Sequence, residues 1–547
     1  MCFATAPLLR NGEIMTNKER VKKDIINGNV YLGIELGSTR IKSVLINSAH
    51  KPIATGGLEL ESKLIDDLWI YDIDAAWTGI QSSFKELKGQ VREKYGLPLC
   101  KIASIGISAM MHGYLVFDQN HHQLAPFLTW RNTNAKNAAE ILSKEFSFNV
   151  PMRWSIAQLY QSILDDSPHI KDITYLTTLS AYVHWKLSGQ KIIGICDASG
   201  ISPIDPKTCN YDSTMLEKFD DLIAHKAYPW KIKDILPKVR LAGEEAGELS
   251  REGALLLDPS GQLESGIKLC PPEGDAATGM VATNSVAINT GNLSMGTSSF
   301  AMLVLEGEFK EIDKDIDVIS TPSGATVAMV HTNNCTTDLD AWINLFKDVL
   351  ESFGTQVDKS SLYRTLYNKA LEAELDCGKL LSYNFVAGEP ITGINESGRP
   401  LFLRAGGSNF TLPNFMRTNL FFMIAPLRIG FDILKDKGVE ITQITAHGGF
   451  FKTPEVGQRF LAAALGVPVR VTETAGEGGA WGIALLAAYN ISKKENEQLP
   501  EYLESNVFVK GTEGCLYPVK EDVLSFNLFL ERYKKALEVE QKAIELS

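Results

Sequence analysis

No run of the 547-residue sequence approaches the roughly 18 consecutive apolar residues a membrane-crossing helix needs, so a membrane-spanning function is not expected. Two glycine-rich nucleotide signatures are missing as well. There is no Gly-x-x-x-x-Gly-Lys-Ser/Thr, which excludes a P-loop NTPase, and no Gly-x-Gly-x-x-Gly follows a strand-like run. Positive charge is not in excess. The 54 Lys+Arg stand against 66 Asp+Glu, a net charge of −12, and an acidic surface suits neither nucleic acid nor an anionic membrane. Local N–H groups can still bind a phosphate. Cysteine is sparse. The eight residues Cys2, Cys100, Cys196, Cys209, Cys270, Cys335, Cys377 and Cys515 are scattered without a Cys-x-x-Cys, so free thiols are expected rather than disulfides or zinc ligands. His121-His122 sits in a polar turn and reads as a solvated loop. Residues 1–29 hold one short apolar patch, Phe3–Leu9, without the basic start of a secretion signal. They are expected to form an N-terminal extension of a cytoplasmic protein, with Met15 as a candidate native start. What is present is an ordinary globular composition, 44% hydrophobic and 22% charged, in a chain long enough for two or more cores.

The stretch Pro272–Leu305 carries the densest chemistry. Asp275 stands between Gly274 and the small residues Ala276, Ala277 and Gly279. Glycine admits close backbone approach, and small neighbours leave room for a carboxylate to touch a substrate hydroxyl as a general base. Further on, Gly296-Thr297-Ser298 interrupts the apolar runs Val286–Ile288 and Phe300–Leu305, which reads as strand, tight turn, strand. Such a turn offers N–H groups and hydroxyls to phosphate oxygens. An ordinary hairpin after an ordinary Gly-Asp turn has the same local pattern. A second copy exists, however. Within Tyr31–Asn47 an apolar run ends at Leu36, Gly37-Ser38-Thr39 turns, and Ile41–Ile46 continues. Two such units suggest a chain of two similar halves with a polyphosphate held between their hairpins.

Elsewhere the pattern alternates strands and helices. Helical periodicity marks Trp77–Leu87. Thr177–Leu187 reads as a helix ending at Gly189, Thr336–Leu350 as another, and Asn414–Lys437 as a longer apolar one with Pro426 inside it and an expected kink. Ile102–Met110 reads as a strand ending in Met111-His112-Gly113. Polar residues at a strand end are typical of ligand sites in α/β folds. Trp130, Arg131 and Asn132 suit a sugar pocket by stacking and hydrogen bonding, or equally a capped helix start. Asp197, in Cys196–Gly200, rivals Asp275 as the base, or holds its own loop as an Asx-turn. Tyr228–Pro272 alternates short strands and polar turns. Ile441–Ala446 reads as a buried strand before His447-Gly448-Gly449, and Thr453-Pro454 as the start of the next helix. Val467–Val471 is another strand, and Gly476–Gly479 leads into a helix, Ala480–Tyr489. This order is an α/β pattern.

In this order and spacing the segments resemble the FGGY carbohydrate kinases, within the actin/hexokinase-like ATPases, from about Tyr31 to at least Tyr489. Gly33–Lys42 resembles the family's first phosphate motif and Met295–Ser298 the second. Gly106–Gly113 resembles the sugar-contact segment of the xylulokinases, Gly274-Asp275 the catalytic aspartate segment, Gly448-Gly449 the adenosine motif, and Glu477–Ala487 the helix near it. Three positions depart from the family. Glu35 stands where aspartate is usual, with a side chain about 1.5 Å longer. Pro426 interrupts the long helix, and one residue, Phe450 or Phe451, is extra after Gly449. The Trp130-Arg131-Asn132 segment also differs from its xylulokinase version.

The resemblance implies two ribonuclease H-like α/β domains around a cleft, expected at residues 30–283 (sugar-binding) and 284–547 (nucleotide-binding). It implies transfer of the ATP γ-phosphate to a ketose hydroxyl, foremost that of a pentulose such as D-xylulose. Asp275 is then the catalytic base and, with Glu35, a ligand of Mg²⁺. Met111, His112, Trp130, Arg131 and Asp275 bind the sugar. Gly37, Ser38, Thr39, Lys42, Gly296, Thr297, Ser298, Gly448 and Gly449 bind ATP. The expected partners are a small-molecule sugar and ATP, with no nucleic acid and no membrane; assembly as a homodimer is left open. Rival readings are a kinase for ribulose, a hexulose, a tetrulose or glycerol, and a non-catalytic sugar- and nucleotide-sensing regulator, which Glu35 favours and Asp275 opposes.

Overall fold

Each half of the chain builds one large sheet, and the two large sheets share a strand order. The computed structural model describes residues 16–309, 313–471, 478–509 and 514–546. The first sheet contains β1 (Tyr31–Leu36), β2 (Arg40–Ile46), β3 (Pro52–Glu59), β4 (Ser104–Ala109), β5 (Lys268–Leu269) and β6 (Glu273–Gly274). Strands β1 to β3 form an antiparallel meander. On the other side β4 runs parallel to β1, and β5 and β6 both run parallel to β4. The second sheet contains β7 (Thr290–Met295), β8 (Ser299–Val304), β9 (Ile316–Ser320), β10 (Thr326–Thr332), β11 (Gln443–His447), β12 (Val469–Val471) and β13 (Cys515–Leu516). Its order is β9-β10-β8-β7-β11-β12-β13. The inner five strands repeat the first sheet: antiparallel on one side of β7, parallel on the other. This is the doubled ribonuclease H-like α/β architecture of the actin/hexokinase-type ATPases.

Six helices frame the cleft and its junction: α1 (Asn17–Asn27), α2 (Ile73–Tyr95), α3 (Ile195–Ser199), α4 (Asp275–Ala282), α5 (Leu412–Asp436) and α6 (Gly478–Ser492). The strand period of two sorts the faces of β1. Leu32, Ile34 and Leu36 enter the apolar core shared with Ile80, Phe84 and Leu87 of α2. Gly33 and Glu35 face the other way, toward α6. A Cβ at Gly33 would lie 2.0 Å from the Ala480 carbonyl oxygen, and one at its β4 partner Gly106 would lie 2.7 Å from that of Ile483. The paired glycines Gly33 and Gly106 thus let α6 lie directly on the sheet. Helix α6 is buried from Gly479 to Tyr489, as expected of a helix apolar all round. It belongs to the second half of the chain but packs on β1, β4 and α4 of the first, crossing the 283/284 division that separates the strands of the two sheets.

Several local expectations change. The strand before Gly296 is β7, not Val286–Ile288; Val286 is buried, but Ile288 is exposed. Its sequence, Thr-Gly-Asn-Leu-Ser-Met, has little apolar signal: a Cβ at Gly291 would meet Ile444 and Leu303 at 2.6 Å, and the amide of buried Asn292 donates to the Thr283 hydroxyl at 2.6 Å. Cys196–Gly200 is not an Asx-turn loop; α3 spans most of it. Tyr228–Pro272 includes a helix, Arg251–Leu257, capped by the Ser250 hydroxyl, which accepts the Gly253 N–H at 2.9 Å. The helix after Gly449 starts at Val456, behind Glu455 at φ 67°, rather than at Thr453-Pro454. Helix α5 continues through Pro426 as one element. Residues 17–27 are also more than an extension. A Thr16–Glu19 capping box starts α1, and Val21 and Ile25, four residues apart on one face, enter the first core. Of the glycine run before α6, Gly476 and Glu477 lie outside the described residues.

Candidate active site

Asp275 is the first residue of α4, at the end of β6, where it opens on the cleft. One carboxylate oxygen accepts the N–H of Met111 at 3.3 Å and that of Ala276 at 3.0 Å. The protein around it disfavours the charge and pushes its pKa up to about 6, against the pull of those N–H groups. Gly274 leaves space for Met111, whose Cγ would lie 2.1 Å from a Cβ there. The rival aspartate is different. Asp197 is fully buried behind Gly274, with one oxygen accepting from the Thr178 hydroxyl at 2.6 Å and from the Ser180 hydroxyl. Burial pushes its pKa up to about 7. Its backbone N–H donates to buried Glu273 at 3.0 Å. A substrate hydroxyl can reach Asp275; at Asp197 it would first have to open the core.

Glu35 points from β1 at the start of α6. It accepts the Ala480 N–H at 3.0 Å, and a Cβ at Gly479 would come within 2.3 Å of its other oxygen. Burial first, then the charge of Asp275, raise its pKa to about 7; the Ala480 N–H and Lys42 act in the opposite direction. The longer glutamate side chain is thereby held at a helix N-terminus, facing Asp275. Beside it, β1 and β2 turn through Gly37-Ser38-Thr39, closed by a Gly37 N–H to Arg40 carbonyl bond of 2.9 Å. The turn of β7 and β8 is one residue shorter and is closed by a Gly296 N–H to Ser298 carbonyl bond of 2.9 Å. Each turn glycine is thus engaged within its own turn, while Thr39 and Thr297 at the tips are exposed. Carbonyls of Gly296 and Thr297 accept the N–H groups of Thr336 and Cys335 at 3.1 and 3.0 Å, which fixes the second turn from behind.

Beyond that turn lies a cavity of about 810 Å³, lined by Thr336, Asp340, Tyr363, Tyr367, Gly449 and Lys452 among others. Gly448 has φ 112°, and a Cβ there would meet the Met295 carbonyl at 2.2 Å, so glycine alone lets the end of β11 lie against β7. Phe450 and Phe451 are buried. Phe450 packs on Tyr367, with ring centroids 6.1 Å apart, so the extra residue borders the cavity through that tyrosine.

At the opposite end of the site, His112 follows β4 at φ 69° and is buried. Its Nδ1 is 3.2 Å from the Gly200 carbonyl, and its Nε2 accepts the Arg153 Nε–H at 3.2 Å. Burial and the Arg153 charge hold its pKa down at about 3. The imidazole is therefore neutral, and both ring nitrogens are engaged, rather than one being free to bracket a sugar hydroxyl. Trp130 is exposed and donates its Nε1–H to the Ser38 hydroxyl at 3.0 Å, linking the first turn to the Trp130 segment. Arg131 lies over the Trp69 ring, 3.7 Å from its centroid. Asn132 is committed structurally. Its amide bonds the backbone N–H and carbonyl of Trp69, both at 2.8 Å.

The sequence profile of the FGGY family of carbohydrate kinases, N-terminal domain, matches residues 30–258, and that of its C-terminal domain matches residues 291–491. The chain belongs to the FGGY family of carbohydrate kinases. It is a sugar kinase, and the family implies ATP as the phosphoryl donor. A xylulose kinase of Haemophilus influenzae is 20% identical over 524 residues, covering 92% of this chain and 98% of that one. Among solved structures, a ligand-bound xylulose kinase of Lactobacillus acidophilus has a TM-score of 0.76 at 16% identity, covering 95% of this chain and 100% of its own. A gluconate kinase of the same organism also has a TM-score of 0.76, at 17% identity, covering 95% and 99%. No helix among the described residues is long and apolar enough to cross a membrane.

Residues with no motif also shape this kinase's cleft. Ser108 and Thr278 share a hydroxyl–hydroxyl bond of 3.0 Å where β4 meets α4. Buried Glu389 accepts the N–H groups of Asn333 and Asn334, both at 3.0 Å, just ahead of the pair that backs the second turn. Arg153 and Asp317 meet beside His112. Their partners are far away in sequence, so composition and periodicity give no sign of them.

Proposed function

We propose that this kinase transfers the ATP γ-phosphate to the terminal hydroxyl of a ketose, a pentulose such as D-xylulose, with Asp275 as the base. The observation that carries the reading is the Asp275 carboxylate, open to the cleft, touching Met111 and raised to about 6. At neutral pH it is ionised yet close enough to a hydroxyl's needs to accept a proton as the oxygen attacks phosphorus and ADP leaves. A positioned base of this kind contributes roughly 10²–10⁴-fold. The Gly37–Thr39 and Gly296–Ser298 turns cradle the phosphates from the two sheets, with Lys42 beside the first, and the cavity at Gly449 receives the adenosine. Met111, His112, Trp130 and Arg131 form the sugar end. The cationic Arg153 there is already paired with Asp317, which favours a neutral sugar over an acidic one.

Glu35, raised by burial first and then by the charge of Asp275, offers with that aspartate an all-oxygen donor set, and a hard divalent cation suits such a set. The pair therefore fits Mg²⁺, which when bound to ATP neutralises charge that develops on the phosphates. A coupled ADP-release screen over pentuloses, hexuloses, tetruloses and polyols tests the substrate. The highest kcat/KM is expected for a pentulose. A clear preference for glycerol over every ketose would remove the ketose reading and leave the family.

A further inference from the structure

The sugar end of the cleft is tied across the junction between the two sheets. Arg153 precedes the helix Ser155–Leu164 in the first half, and its Nε–H donates to His112 Nε2 at 3.2 Å. Its Nη2 forms an ion pair with Asp317, which lies on β9 of the second sheet. The other Asp317 oxygen accepts the Asn149 amide at 3.0 Å, and that amide also reaches the Ile316 carbonyl at 3.1 Å. The junction continues at Ser320, whose N–H donates to the Ser199 hydroxyl at 3.2 Å.

The donors in this chain decide the state of the imidazole. A guanidinium N–H can only donate, so Nε2 of His112 must accept. A carbonyl can only accept, so Nδ1 must carry the proton that meets Gly200. One neutral tautomer satisfies both bonds; the other tautomer, and the charged ring, would set N–H against N–H or lone pair against lone pair. We infer that Asp317 is a positioning residue for the sugar site: by orienting Arg153 from the second sheet, it holds His112 in its neutral Nδ1–H tautomer. The inference rests on the reading of His112 as a sugar contact, made through its ring rather than its nitrogens, which Gly200 and Arg153 occupy. It goes further in making that contact depend on a carboxylate of the nucleotide-binding half.

Two variants test it. Asp317→Asn keeps the shape and removes the charge that orients Arg153. Arg153→Lys keeps the charge pair but lacks the planar fork that reaches His112. Histidine ¹⁵N NMR of the intact protein reads the ring, and steady-state kinetics read the site. In the parent, His112 is expected as Nδ1–H. In both variants its ring nitrogens should move toward a tautomer mixture, with kcat/KM for the best sugar down about ten-fold, as for the loss of one charge-assisted bond, and KM for ATP within two-fold. An imidazole unchanged in both folded variants, or seen as Nε2–H in the parent, overturns the inference whatever the sugar proves to be. A shifted imidazole with unchanged sugar kinetics overturns Asp317 as a positioning residue. If His112→Ala is then equally silent, the sugar-contact reading fails with it; if His112→Ala is impaired, that reading stands and only Asp317 falls.

Discussion

Asp275 is a carboxylate whose folded pKa, about 6, lies above its ordinary 3.8, and that sign has two consequences. Protonation removes the proposed base, so kcat/KM for the sugar is expected to fall as pH drops through about 6. Folding, by contrast, favours the protonated form. The ionised group's destabilising contribution therefore grows as pH rises from 3.8 to about 6 and is fully present above that. Asp275→Asn should lose roughly 10²–10⁴-fold in turnover and still bind ATP. Its Tm at pH 7 should be no lower than the parent's, an advantage that disappears below pH 4. A variant that keeps its turnover would show that another group takes the proton. Thr297, exposed at the tip of the second turn, is proposed to meet the nucleotide phosphates. Thr297→Val should raise the KM for ATP by ten-fold or more while that for sugar stays within two-fold, since a lost bond to a charged group costs about 1.5–3 kcal/mol. An unchanged nucleotide KM would move the phosphates elsewhere.

Elements decide how close these residues come. Helix α6 reaches β1 because Gly33 has no side chain, and that contact places the Ala480 N–H on Glu35. Gly33→Ala puts a methyl 2.0 Å from a helix carbonyl. Overpacking of this kind costs about 1–3 kcal/mol and is expected to lower the urea midpoint and to impair activity through Glu35. A variant as stable and as active as the parent would mean that α6 does not rest on the strand as described. Legibility in the sequence follows the same physics. Helix α2, with one apolar face, showed its period, and α5, buried on all sides from Asn414 to Leu427, showed as a long apolar run. Strand β7 did not, because Gly291 leaves room for Ile444 and Leu303 and buried Asn292 is satisfied by the Thr283 hydroxyl, partners that only the fold supplies. The α1 helix, with only two buried residues, barely rose above its polar surroundings.

The whole molecule places the proposed sugar and nucleotide residues on two sheets, and the junction between them is held by contacts such as Arg153–Asp317. Closure of the cleft excludes water as a competing phosphoryl acceptor. Solution scattering should therefore show a smaller radius of gyration with a ketose and a non-hydrolysable ATP analogue together than with either alone. An identical radius in all states would mean that the cleft does not close on its ligands.

By itself the sequence determined the doubled strand–turn–strand grammar, the α/β class, the position of Asp275 among small residues, and the family's order of motifs. These are local or periodic features, written in neighbouring residues whose conformational limits act wherever the chain goes. Tertiary structure alone left Asp275 exposed and buried Asp197, two aspartates in similarly small, polar surroundings, because burial depends on what the rest of the chain lays over each. It alone set the state of His112, whose partners Arg153 and Gly200 lie 41 and 88 residues away. It alone brought Glu35 to the start of α6, 445 residues further along the chain. No local pattern encodes such meetings; they arise only when both sheets have formed and packed.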